Sequence, residues 1–303
     1  MFADGIPGGE IMKKTLLIFL ISLVIITAGC LGGETTKTSP TSSVITHSEK
    51  TTSSTTATHG STEGLTKGDL LSVLDNITTV RYTIKMTGDV ELTNLTSNET
   101  IDGEIYSNFT GSFDLKNSLG FWDLNISVKA PGTNGGMEKE MGMKYFVNGT
   151  KTYVNLNGQW FRVNTNIPAF EHRREASLEI DYVKRILRKT DSVLRKTGAG
   201  YVLVSNVTFN DLRGIQAELG NLIGGIFGMR VTTNKGVGRV YFDQNGTPRV
   251  IKTYIDFTIT FKEDLRFRYR IHKTTVITDI NKARVPVPRG IEDAPLLNDG
   301  SSI

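Results

Sequence analysis

The chain has a single thiol, Cys30, and its surroundings are those of a cysteine that becomes acylated. Lys13 and Lys14 precede an apolar run from Leu16 to Ile26, and Thr27-Ala28-Gly29 leads directly into the sulfur. A basic pair, a short apolar core, small residues and a cysteine, in that order, make a lipoprotein leader. A peptidase needs small side chains before the bond it cuts, and a thiolate at the new N-terminus is the nucleophile that accepts a lipid as thioether or thioester, palmitate being one such chain. Thr27 stands where bacterial leaders favour Leu, which leaves the processing enzyme open. The pattern predicts a lipid anchor on Cys30 at the extracytoplasmic face of the cell membrane. An uncleaved signal-anchor helix is the alternative, and both place the remainder outside.

Other reactive constellations are missing from the sequence. His47 and His59 fall in a Thr/Ser-rich stretch, His172 and His272 stand alone, and no pair has the spacing of a zinc-binding helix. There is no Gly-x-Ser-x-Gly elbow and no glycine-rich phosphate loop ending in Lys-Ser or Lys-Thr. Gly236-Val237-Gly238, followed by Arg239, reads as a loop before a strand rather than a dinucleotide fingerprint. Carboxylates are plentiful but scattered. The expectation is a non-catalytic protein that needs no metal and no cofactor.

A net charge of +4 is too mild to argue for nucleic acid as a partner. Basic residues nevertheless gather in two places. Arg173, Arg174, Lys184, Arg185, Arg188, Lys189, Arg195 and Lys196 surround one helical segment, while Arg266, Arg268 and Arg270 alternate with Leu265, Phe267 and Tyr269 and so line one sheet face. Two readings remain open for these: an ordinary solvated face, or a surface that docks on anionic lipid headgroups. Asn-x-Ser/Thr acceptors occur at Asn76, Asn94, Asn98, Asn108, Asn125, Asn148, Asn206 and Asn245, of which Asn94 and Asn98 fall in an expected exposed loop and are the candidate N-glycosylation sites.

The elements that must carry these groups follow from composition. Residues 1–29 form the leader, with Met12 as the expected true start because Asp4 and Glu10 do not suit a signal-peptide n-region. Residues 30–66 form a disordered stalk, dominated by Thr and Ser and unable to bury enough apolar surface to fold. As flexible coil it spans roughly 30 to 35 Å. Residues 67–290 are read as one β-rich domain and 291–303 as a tail.

Within the domain, Leu70-Leu71-Ser72-Val73-Leu74 predicts a short helix. Alternation then takes over: Val80, Tyr82, Ile84 and Met86 share one face, Ile105, Phe109 and Phe113 another strand, Trp122, Leu124, Ile126 and Val128 a third. Asn148-Gly149 and Asn157-Gly158 supply the positive φ of tight hairpin turns between three further strands. Helical spacing links Leu178, Tyr182, Val183, Ile186, Leu187, Val193 and Leu194, with Gly198 and Gly200 as the stop. A strand over Tyr201–Phe209, a helix over Leu212–Ile223, a glycine-rich apolar stretch over Leu222–Met229 and strands to Ile277 complete the pattern. Strands, helices and strands again indicate an α+β class: a large antiparallel sheet with helices on one face.

The hairpin series from Tyr145-Phe146-Val147-Asn148-Gly149 to Gln159-Trp160-Phe161-Arg162-Val163, the central helices and the ending Ile280-Asn281-Lys282 to Val285-Pro286-Val287-Pro288 resemble the LolA/LppX-type lipoproteins. The leader, cysteine, stalk and β-rich domain, in that order, are also similar to archaeal surface lipoproteins. The resemblance covers roughly residues 65–288. It implies an open, curved antiparallel half-barrel with helices packed on its concave face, and the handling of a lipid or other hydrophobic ligand. The candidate cavity lining is Phe109, Phe113, Trp122, Phe257, Phe261 and Phe267 from strands, with Leu187 and Ile223 from helices. These side chains also admit the plainer reading that they fill one another's space, as the core of an envelope-structural or protein-interaction module without a ligand.

Overall fold

The computed structural model describes residues 64–130, 137–156, 158–163, 178–212, 229–261 and 265–297. The leader, Cys30, the stalk with His47 and His59, Arg173 and Arg174, His172, the expected helix to Ile223, the glycine-rich stretch before Met229 and the side chain of Phe261 lie outside the described residues.

Among the described residues, twelve strands form one open, curved sheet. Strands β1 (Thr79–Asn94), β2 (Thr100–Asp114), β3 (Leu119–Ala130), β4 (Met137–Asn148), β5 (Lys151–Leu156) and β6 (Gln159–Val163) run as one antiparallel meander. Strands β7 (Val193–Thr197), β8 (Gly200–Asn206), β9 (Met229–Phe242), β10 (Pro248–Phe261) and β11 (Leu265–Thr278) form a second. The two meanders are joined by one antiparallel seam, β1 against β11, with Arg81 opposite Thr278 and Asn94 opposite Leu265. The sheet does not close. β7 is one edge, and at the other the short β12 (Leu296–Leu297) lies parallel to β6, so residues beyond 290 contribute to the sheet.

The strands form where the period-two pattern demands a half-buried ribbon. On β1, Val80, Tyr82, Ile84 and Met86 are buried while Arg81, Lys85 and Thr87 face water. Hairpin turns use their glycines as expected: Gly149 has φ +60°, Gly158 +88° and Gly246 +77°, conformations that cost an L-residue but not glycine.

Helix α1 (Lys67–Asp75) starts on a capping box. The Thr66 N–H donates to the Asp69 carboxylate at 2.8 Å, and the Asp69 N–H donates back to Thr66 Oγ1 at 3.2 Å. Its Leu70 and Leu74 are buried, and Asp75 pairs with Lys184 of α2 (Leu178–Arg188) at 2.7 Å. Helix α2 buries Ile180, Tyr182, Val183, Ile186 and Leu187 and carries Glu179 and Asp181 in its first turn and Arg185 and Arg188 in its last, as the helix dipole favours.

Three sequence expectations are corrected. The helix ends at Arg188 rather than running on to Val193 and Leu194, because those residues pair with Val204 and Leu203 as strand β7. Phe209 is not in a strand: β8 stops at Asn206, and Phe209 opens a single 3-10 turn to Leu212. Gly236-Val237-Gly238 is no loop but the middle of β9, where a Cβ on Gly236 would meet the Val207 carbonyl oxygen at 2.0 Å. Close backbone approach, not turning, is what these glycines permit.

Candidate functional site: the concave face

Inward side chains form rows that cross the sheet. One row runs Ile277, Tyr82, Gly111, Trp122, Tyr145, Val154 and its neighbour runs Val80, Phe113, Gly120, Val147, Thr152. Aromatic residues and glycines alternate there. Rings lie over the glycines: a Cβ on Gly111 would meet the Phe113 ring at 2.7 Å, and one on Gly120 would meet Trp122 at 2.8 Å. The result is a ladder in which Tyr82 and Phe113, Phe113 and Trp122, and Trp122 and Tyr145 have centroids 5.5, 5.5 and 5.7 Å apart. Toward the other end, Phe257 stacks on Tyr269 at 4.9 Å, with Phe209 at 4.9 Å and Phe267 at 6.4 Å from its two members.

Of the expected lining, Phe109, Phe113, Trp122, Leu187, Phe257 and Phe267 are all buried on this side. Phe113 touches Trp122. Phe257 and Phe267 instead flank Tyr269, and Phe109 lies between Ile84 and Leu124 in its row. Sequence reasoning passed over Tyr82, Tyr145 and Tyr269 as lining, although Tyr82 and Tyr269 stand in the inward phase of strands whose alternation was plain.

Helix α2 covers part of this face and anchors there through polar groups. Glu179 accepts from Lys273 and from Thr275 Oγ1, the latter at 3.0 Å, and Tyr182 Oη hydrogen-bonds Thr253 Oγ1 at 3.0 Å. A Cβ on Gly238 would lie 2.6 Å from that Tyr182 oxygen, so the glycine makes room for the helix. Contacts from α2 therefore reach β9, β10 and β11. Burial pushes the pKa of Tyr182, Tyr269 and Tyr82 well above that of a free phenol and keeps them protonated, and the nearby Glu179 and Asp181 carboxylates push Tyr82 the same way. Tyr82 Oη, Tyr269 Oη and Trp122 Nε1 are shielded from water with no hydrogen-bond partner.

The convex face answers the question about the arginine stripe. Arg268 makes two hydrogen bonds to Asp256, the shorter 2.8 Å, Arg270 lies 3.3 Å from Glu91 and 3.9 Å from Asp89, and Arg266 lies 3.9 Å from Glu91. The stripe is a ladder of ion pairs across β10, β11 and β1. Around α2, Lys184 pairs with Asp75 and Lys189 with Asp211. A depression of about 260 Å³ on the convex side is lined by Thr87, Asp89, Glu104, Tyr106, Lys129 and His272, with His272 packed on Tyr254 at 4.7 Å.

Asn94 ends β1 and its side-chain oxygen accepts from the Thr96 and Ser97 N–H groups, while Asn98 is exposed at φ +57° in the same turn. Among the described residues there is no group of three side chains placed to hold a metal ion, and no helix long and apolar enough to cross a membrane.

No family model matches the chain, and no curated protein matches it. Solved structures do align with it. LprF from Mycobacterium bovis is 9% identical with a TM-score of 0.35, covering 74% of this chain and 95% of that one. A beta-barrel-like protein of the DUF1849 domain of unknown function from Brucella abortus is 11% identical, TM-score 0.21, covering 67% and 99%. A DUF1329 family protein from Desulfovibrio piger is 6% identical, TM-score 0.16, covering 75% and 96%.

Proposed function

We propose that this is an exported, lipid-anchored surface protein, tethered through Cys30, that holds a hydrophobic ligand against the concave face of its sheet without catalysing a reaction. The observation that carries the ligand half of this reading is the aromatic ladder Tyr82, Phe113, Trp122 and Tyr145, whose wall includes polar atoms with no partner in the protein. An ordinary core seldom leaves such atoms unanswered, because each costs free energy that an apolar residue would not. Taking a long chain out of a bilayer forfeits about 0.8 kcal/mol per methylene, which only a dry apolar surface of this kind restores.

The anchoring half is supported by the order of residues before Cys30. Replacing Cys30 by Ser should release the protein from membranes and abolish metabolic labelling with a fatty acid. Continued membrane retention would favour the signal-anchor reading.

A second reading is favoured by the ring contacts themselves. Centroid separations of 4.9 to 5.7 Å are those of rings that pack on one another, as in an envelope-structural or protein-interaction module with a filled interior. Native mass spectrometry of detergent-free protein separates the two. A co-purifying lipid on the domain, beyond the chain on Cys30, supports the carrier; a bare mass in every preparation supports the module.

A further inference from the structure

On the convex face, strands β8 to β11 turn apolar residues outward at the end remote from the arginine ladder. Val202, Tyr241, Val250 and Val276 stand opposite one another on four successive strands, a row about 14 Å long. Tyr241 is 36% and Val276 39% exposed. A sheet face turned to water ordinarily carries polar residues, so an apolar row of this length marks a surface that meets a partner.

The next row is basic. Arg239 lies directly opposite Lys252, and Lys85 follows one strand beyond Thr274. All three cations are exposed, none is paired with a carboxylate among the described residues, and neither row carries an acid from β8 to β2. Lys252 lies 5.8 Å from the centre of the Tyr241 ring, so the charges and the apolar row form one patch. Like charges directly opposite each other on a sheet cost stability. The arginine ladder offsets that cost with Asp89, Glu91 and Asp256, whereas here no acid does, an arrangement that folding alone does not call for.

The chain leading from Cys30 reaches the described fold beside this patch. The Leu65 N–H donates to Tyr201 Oη at 2.9 Å, and Tyr201 is the neighbour of Val202 at the start of the apolar row. We propose that this face, centred on Tyr241 and Lys252, rests on the anionic lipid headgroups of the membrane that the tether reaches. Arg239, Lys252 and Lys85 meet phosphate there, while Tyr241, Val250 and Val276 enter the headgroup layer. An acid-free patch that joins exposed cations to an aromatic ring and valines complements such a surface in both charge and polarity. Which membrane it meets rests on the anchored reading above, and the lipid contact is tested separately from it.

The full chain is reconstituted with vesicles of phosphatidylcholine alone or with about one-third phosphatidylglycerol, and modification of each lysine by an amine-reactive reagent is followed by mass spectrometry. Flotation with the neutral vesicles reports the anchor. Modification of Lys85 and Lys252 should slow about fivefold on the anionic vesicles and recover in high salt, while Lys129, in another row on β3, is modified equally on both. Arg239→Gln with Lys252→Gln should abolish the slowing at Lys85. Because that change removes a like-charged pair, its urea midpoint should not fall. Equal rates on the two vesicles, slowing that ignores salt, or slowing at Lys85 that survives the double change overturns the inference and leaves the anchored reading standing. Protection that needs no vesicle and grows with protein concentration assigns the face to a second copy and overturns it as well. Salt-sensitive slowing without flotation on neutral vesicles upholds the lipid contact and overturns the anchor.

Discussion

Glu179, in the first turn of α2, and Lys273, on the inward side of β11, form an ion pair between helix and sheet, with the Glu179 side chain 9% and the Lys273 side chain 22% exposed. Thr275 Oγ1 donates to the second carboxylate oxygen. The pair sits where the pattern of β11 calls for an apolar residue, between Ile271 and Thr275 in the inward phase. Removing one partner leaves a charge largely out of water. Glu179→Ala should therefore lower stability by about 3 kcal/mol, and the double change Glu179→Leu with Lys273→Met should lose far less. Urea unfolding of the three proteins checks this; equal losses for the single and double variants would show that the ion pair does not fasten the helix.

Gly238 sets how closely α2 approaches the sheet. With Tyr182 Oη 2.6 Å and Ile186 Cδ1 3.1 Å from where a Cβ would stand, Gly238→Ala should cost about 1 to 3 kcal/mol through overpacking. Amide exchange should speed up along Leu178–Arg188 while β2 and β3 stay protected. Uniform change across the sheet would argue against a local wedge.

Acid should weaken the fold through two aspartates. Hydrogen bonds from Arg268, against the opposing effect of burial and aided by Asn234, hold the Asp256 carboxyl below its usual range. At Asp211 burial pushes upward, but hydrogen bonds from Lys189 and Thr208 outweigh it and the carboxyl is again held low. Folded values below the unfolded value of about 3.9 mean that the unfolded chain binds more protons in acid. Their stabilisation is complete above that value and is lost as pH falls through the depressed folded values. Asp256→Asn should flatten this acid limb, which urea midpoints at pH 7 and pH 3 would reveal; an unchanged slope would place the acid sensitivity elsewhere.

The arginine ladder is expected to be inert toward anionic membranes. Its charges already face Asp89, Glu91 and Asp256, so Arg266→Gln with Arg270→Gln should leave sedimentation with anionic vesicles unaltered. Glu91→Gln should instead create salt-sensitive binding, because it frees cations from a shared acid. Loss of vesicle binding in the double arginine variant would restore the docking reading.

Much of the architecture was legible because its signals are local. Alternation on β1 and β3 and the Asn148-Gly149 turn depend only on neighbours in sequence, and each appears where the pattern places it. Val193 and Leu194 misled because they continue the spacing of Leu187; what decides their state is pairing with β8, a contact no local period encodes. Gly236 and Gly238 read as a loop for the same reason: their strand assignment depends on Val207 and Tyr182 arriving from elsewhere in the chain. The aromatic lining could be picked by phase, but the ladder that joins Tyr82 to Tyr145 required the register of four strands. Lys273 carried a usable signal, a cation in an inward phase, though its partner Glu179 could not be named without the helix in place.

The seam between β1 and β11 sets the tempo at which this molecule can become itself. Thr78 and Asn281, which hydrogen-bond beside it, are 203 residues apart, and Arg270 reaches Glu91 across 179. Until the eleventh strand has been made, the first has only one of its two neighbours, and half its ladder of amides and carbonyls waits in water. Pairing so remote in sequence is slow to nucleate, which keeps a growing chain pliant for most of its synthesis. If the chain is exported as proposed, threaded through a narrow pore before it matures, that delay is an advantage: the hairpin of β10 and β11 is the one that locks the two halves together.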